Sequence, residues 1–174
     1  DLMLRRVIPD RDGDWLDRFV GSGMVDGVIV IGQSDQFERI EAAAARFLPM
    51  VVWGNHQEGQ RHCAVGTDNF AGGRLAAERL IAAGASTIGF LGSTDPIEFA
   101  ARYAGAKSVA DDKGVPIRAL PTHLSPEHAA DEIAAHLASD MAGIDGIFAA
   151  SDMLAIACMT ELQKRGIDVP GGMK

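Results

Sequence analysis

Short apolar runs rich in β-branched residues recur along this chain, and stretches with helical periodicity fill the gaps between them. "VDGVIVIG", "MVVW", "CAVG", "TIGFLG", "IRAL" and "IDGIFAA" are too short for buried helices and read as strands; "LMLRRVI" near the start reads the same way. Between them, "DWLDRFVGSG", "SDQFERIEAAAARFLP", "FAARYAGAKSVADDKG", "SPEHAADEIAAHLA" and "SDMLAIACMTELQKRG" read as helices. Strict alternation of strand and helix predicts an α/β fold with parallel, doubly wound sheets. Consecutive Val and Ile in "VIVI" predict a strand buried on both faces. Helix ends are marked by Asp35 as a cap with Glu38 reaching back, by Pro49 after Leu48, by Ser125 and Pro126, and by Gly166.

The apolar faces follow from the same spacing. Phe37, Ile40, Ala44 and Leu48 fall on one side of their helix, and Phe99, Tyr103, Ala106 and Ala110 on one side of theirs. Gly73, Ala76, Ala77, Leu80 and Ile81 form a narrow face that lets a helix lie close to a neighbour. Ala155, Cys158, Met159 and Leu162 are expected inward.

With 174 residues, 47% of them hydrophobic, the chain can bury a sizeable core. No apolar run approaches the ~20 residues needed to cross a membrane. The net charge is −8 and the basic residues are scattered singly, so these residues repel nucleic acid rather than bind it. Cys63 and Cys158 lack any CxxC spacing and are expected to be reduced, as in a cytoplasmic protein. The chain starts at Asp1, so a segment ahead of it, including a cleaved leader, stays open.

In "VGTDNFAGGRLAAERL" a Gly pair opens a helix, as in phosphate-binding turns, but neither G-x-G-x-x-G nor G-x-x-x-x-G-K-[ST] is present there or elsewhere. Asp68 would repel an anion and suits hydroxyl groups instead. No G-x-S-x-G elbow exists, and His56, His62, His123, His128 and His136 show no metal-ligand spacing. They read as solvated side chains. No catalytic constellation, cofactor or metal is expected.

In an open α/β sheet, ligands sit outside the C-terminal strand ends. That rule selects Gln33, Ser34, Trp53, Asn55, Asp68, Ser93, Asp95, Ser151 and Asp152. Arg102, on the first turns of its helix, either forks two hydrogen bonds onto a ligand or pairs with Glu98 or Asp95. Trp53 either stacks on a sugar or belongs to the core.

The blocks "VDGVIV", "LPMVVWGN", "VGTDNFAGGRLAAERLIAAGASTIGFLG", "RYAGA" and "IDGIFAASDMLAIACMTELQKRGIDVP" resemble, in order, the effector-binding region of LacI/GalR-type bacterial transcription regulators. The resemblance implies a periplasmic-binding-protein-like fold of type I, with two Rossmann-like lobes closing on a small ligand. Residues 1–69 would form part of the N-terminal lobe and 70–174 part of the C-terminal lobe. Arg102 in "RYAG" matches an arginine that contacts effector, and Ser151 in "ASD" stands where an Asn is more usual. "GN" replaces the family's Asp-Arg pair, which makes Asn55 a candidate. The resemblance further implies a cytoplasmic homodimer, a sugar-like effector, and operator DNA bound through a helix-turn-helix outside this chain. A periplasmic sugar-binding protein serving a transporter or chemoreceptor shares the fold and is the alternative.

Overall fold

The computed structural model describes residues 1–6, 13–32, 36–139, 141 and 143–174, without the side chains of Pro126 and Glu127. The chain divides into two compact units, Asp1–Thr67 and Asp68–Lys174. Each holds a three-stranded parallel sheet. The order of elements is α1 (Trp15–Val20), β1 (Val28–Ile31), α2 (Phe37–Ala44), β2 (Met50–Trp53) and β3 (Cys63–Val65), then α3 (Asn69–Ala82), β4 (Ile88–Leu91), α4 (Ile97–Lys113), β5 (Ile117–Leu120), α5 (Pro126–Ser139), β6 (Gly146–Ala149) and α6 (Asp152–Lys164). The alternation read from sequence is therefore realised as parallel α/β sheets.

In the second unit the strand order is β5-β4-β6. Every residue of central β4 is buried, as a parallel strand covered on both faces should be. Phe90 sits fully buried against Tyr103 and Phe148, with ring centroids 5.1 and 5.3 Å away. Burial of a side chain of this size contributes roughly 1.5–3 kcal/mol. On one side Ile88 meets Ala77, Ala106 and Val109 of α3 and α4; on the other, Leu91 and Leu120 meet Ile133, Leu154 and Leu162 of α5 and α6. Gly114 and Gly166 stop α4 and α6 with φ of 66° and 68°, a left-handed conformation that glycine adopts without strain.

Helices α3 and α4 cross at a glycine contact. A Cβ on Gly73 would strike the carbonyl of Arg102, and one on Gly105 would strike the carbonyl of Phe70. The two backbones therefore touch with no side chain between them. Gly72, next in sequence, faces open space. The close packing expected of the Gly pair belongs to Gly73, and its partner is the glycine of "RYAG".

In the first unit the strand order is β1-β2-β3. Helices α1 and α2 cover one face, where Val30, Met50 and Val52 pack against Trp15, Leu16, Ile40, Ala43 and Ala44. The other face differs from expectation. Ile29 and Ile31 are 75% and 77% exposed, and Val51, Trp53 and Val65 share that bare face in register with them. The VIVI run promised burial on both sides, but among the described residues no helix packs over this side.

Smaller differences have local causes. Residues 2–6 form no strand, and the rest of "LMLRRVI" lies outside the described residues. Helix α2 ends at Ala44, before Leu48, which is 79% exposed. The cap assigned to Asp35 lies outside the described residues. In α6 the inward face is Leu154, Cys158, Glu161 and Leu162, and Met159 is exposed.

Candidate functional site

In the second unit the chain leaves β4 for β5 on one side and returns to β6 on the other. The C-terminal ends of β4 and β6 therefore flank a topological switch point, where an open α/β sheet leaves a crevice. Asn69 at the start of α3, Ser93 and Asp95 after β4, Arg102 on α4, and Ser151 and Asp152 after β6 all lie at this end of the sheet.

Arg102 spans the switch point. Its Nε donates to Asn69 Oδ1 at 2.8 Å, and its Nη1 donates to the carbonyl of Ala150, just past β6. The guanidinium lies over the Phe99 ring, 5.4 Å from its centroid. Neither Glu98 nor Asp95 forms an ion pair with it among the described residues, so the alternative of a local salt bridge does not hold. Both hydrogen-bond acceptors are neutral. Among the described residues the Nη2 end of the fork has no hydrogen bond or ion pair.

The other candidates of this unit have local duties. Asp68 caps α3, its Oδ1 accepting from the Ala71 amide at 2.9 Å. Ser151 caps α6, its Oγ accepting from the Leu154 amide at 3.4 Å. Asp95 accepts from Ser93 Oγ at 2.9 Å. Asp152 is exposed on the first turn of α6, where its charge favours the helix N-terminus. Three carboxylates and one arginine thus stand at one sheet end. They suit a ligand rich in hydroxyl donors and repel a polyanion.

The sequence, read as the crossover between lobes, puts Asn69 beside Asp68 facing the cleft. Instead Asn69 is 6% exposed and turned onto Arg102. A poor helix former one position inside the helix start, rather than at the cap, was the available signal. Phe99 and the Ala150 carbonyl, which also hold Arg102, were not singled out.

In the first unit Trp53 ends β2, and Asn55 follows it beyond Gly54. Trp53 is 63% exposed, so it is not a core tryptophan of the described residues. Asn55 Nδ2 reaches the His56 carbonyl at 3.4 Å. Gln33 and Ser34 lie outside the described residues. The loop after β2 is pinned at its far end by Glu41, which accepts from the Arg61 amide at 2.9 Å and contacts His62 Nδ1 at 2.6 Å. Partial burial pushes the Glu41 carboxyl up, but these donors together hold it below its ordinary value. His62 is buried, contrary to its reading as a solvated loop residue. Its imidazole closes over Phe37 edge to face.

A largely apolar groove of about 350 Å³ runs beside β6, lined by Leu80, Ile147, Ala155 and Met159 together with the site candidates Ser151 and Asp152. The Lys174 amide donates to the Asp145 carbonyl and the Ile147 amide to the Lys174 carbonyl, so the chain already runs beside β6 there. Among the described residues no His/Cys/Asp/Glu group could hold a metal, and no helix is long and apolar enough to cross a membrane.

A family model described as a periplasmic binding protein domain matches residues 14–172. The HTH-type transcriptional regulator GntR of Escherichia coli (strain K12) is 24% identical over 166 residues, covering 95% of this chain and 50% of that protein. Among solved structures, a LacI family transcriptional regulator from Enterococcus faecium with bound ribose is 28% identical, with a TM-score of 0.75 over 92% of this chain and 60% of that one. A LacI family regulator from Mycobacterium smegmatis, 22% identical, shows the same fold with a TM-score of 0.84 over 100% of this chain and 66% of that one. The chain spans about half the length of the curated relatives it matches.

Proposed function

We propose, from the premise that this chain belongs to the periplasmic binding protein domain family, that it is the effector-sensing part of a LacI-type transcription regulator. The observation that carries the proposal is Arg102. Three neutral groups from α3, α4 and the end of β6 hold it across a topological switch point, and among the described residues no carboxylate forms an ion pair with it. A ligand with a lone-pair oxygen is what such a fork accepts. The neighbouring carboxylates Asp68, Asp95 and Asp152 favour hydroxyl-rich ligands, so the effector class is a sugar or a small neutral polyol. Ser151, whose Oγ only accepts in the capping bond, keeps its O–H as a further donor. Trp53, Asn55 and Gln33 are the candidates contributed by the first unit, with Trp53 offering an exposed ring face for stacking.

The relatives support the regulatory setting. They are transcription regulators, and one similar structure holds ribose. Effector binding would bias one arrangement of the regulator over another. A coupling of roughly 1–3 kcal/mol changes operator affinity about 5- to 150-fold. The proposal includes a cytoplasmic homodimer whose DNA contacts are made outside these residues. A solute-binding protein for transport is the second reading, favoured only by the description of the matching family model.

A thermal-shift screen of sugars and polyols on the full-length protein tests the reading. A ligand at 100 times its Kd adds about 2.7 kcal/mol of stability. A screen in which only anionic metabolites shift the transition would contradict a neutral sugar as effector.

A further inference from the structure

We propose that Asn69 is a positioning residue that aims Arg102 at the effector; this rests on the reading of Arg102 as the effector contact. Four observations carry it. Asn69 is 6% exposed, so it is hidden from any ligand that Arg102 meets in solvent. Its Oδ1 takes the Nε–H of Arg102 at 2.8 Å, which fixes the plane of the guanidinium, and among the described residues Nη2 makes no hydrogen bond. The other restraints, the Ala150 carbonyl and the Phe99 ring, are also uncharged. Finally, the Gly73–Gly105 crossing sets the spacing of α3 and α4, so the distance from Asn69 to Arg102 is built into backbone contact rather than left to flexible side chains.

The choice of an amide is informative. A carboxylate at position 69 would hold the same N–H more tightly, but it would neutralise the cation and compete with the ligand. An alanine would keep the charge and release the aim. Only a neutral acceptor does both jobs, holding the fork and leaving its charge to be spent on the ligand. A residue kept merely for stability would gain from the carboxylate; a positioning residue would lose by it.

Two arms test this in the full-length protein. In ligand-free protein, the ¹⁵N-labelled Nε–Hε signal of Arg102, assigned by its loss in Arg102→Lys, should be slow to exchange. Asn69→Ala should restore fast exchange and Asn69→Asp should keep protection. A signal equally protected in Asn69→Ala overturns the proposal, and this arm needs no effector.

In the second arm, affinity for D-ribose is measured by calorimetry. Asn69→Ala and Asn69→Asp should each weaken it about tenfold. In the Arg102→Lys background Asn69→Ala should have no further effect. An equal loss in both backgrounds, or tighter binding in Asn69→Asp, overturns the positioning role. If the wild type ignores D-ribose, the functional reading loses that sugar, and the exchange arm alone decides the role of Asn69.

Discussion

Two adjacent glycines of α3 should respond to alanine with opposite signs. Gly72 is exposed, and a Cβ there meets nothing within 4 Å. Gly72→Ala should therefore add the helix-propensity difference, about 0.5–1 kcal/mol. At Gly73 the same gain competes with a Cβ driven into the Arg102 carbonyl, a backbone atom that cannot rotate away. Overpacking of this kind costs about 1–3 kcal/mol. Pushing α3 from α4 also stretches the Asn69–Arg102 hydrogen bond, and bonds to charged groups contribute roughly 1.5–3 kcal/mol. Gly73→Ala should therefore destabilise by about 1.5–5.5 kcal/mol after the propensity gain is subtracted, the upper end applying if the hydrogen bond is lost altogether. Tryptophan fluorescence is a poor assay, because Trp15 and Trp53 both lie in the first unit. Hydrogen exchange of the α3 and α4 amides reports the right unit. Gly73→Ala should lower their protection and Gly72→Ala should raise it. Equal protection gains in both variants would refute the glycine crossing.

Two further outcomes follow from titratable groups. Cys158 is 3% exposed and burial pushes its thiol up to about 11, whereas Cys63 is exposed. A thiol reagent should label Cys63 alone in the native protein and both in denaturant; rapid native labelling of Cys158 would contradict the core of the second unit. The Thr87 amide, followed by the amide and hydroxyl of Ser86, holds the Asp145 carboxyl below its ordinary 3.8. Because the folded value is depressed, the stabilisation is present above the unfolded value and is lost as pH falls through the folded one. The stability gap between wild type and Asp145→Asn should therefore shrink as pH is lowered below about 4. A gap unchanged by pH, measured by urea unfolding followed by circular dichroism, would argue against the Asp145 contacts.

The strands were legible because each apolar run is short, β-branched and bounded by turn residues. All six strands of the structure sit on runs the sequence marks. Burial was less legible, since it depends on what covers a strand. The VIVI pattern is right for a two-sided strand, yet Ile29 and Ile31 stay exposed because no described helix packs over them. His62 looked like a loop residue because its partner, Glu41, is 21 positions away. The site was half visible. Arg102 was found through its motif, but its holders were not, because Asn69 and Ala150 are 33 and 48 residues distant in sequence and meet it only at the switch point. The narrow face of α3 was visible in its small residues. Which glycine made the contact, and that Gly105 answered it, required the crossing itself.

The central claim is that Arg102 holds a hydroxyl-rich effector. Replacing it by alanine would also take the Arg102 bond from Asn69 Oδ1 and from the Ala150 carbonyl, so Arg102→Lys, which keeps a cation and loses the fork, is the cleaner variant. The decisive measurement is calorimetric titration of the full-length wild type and Arg102→Lys with the sugar that most raises the unfolding temperature. The account predicts saturable binding by the wild type, weakened at least tenfold in the variant, with the ligand-free unfolding midpoint shifted by only a few degrees. Equal affinity in the two proteins would contradict it.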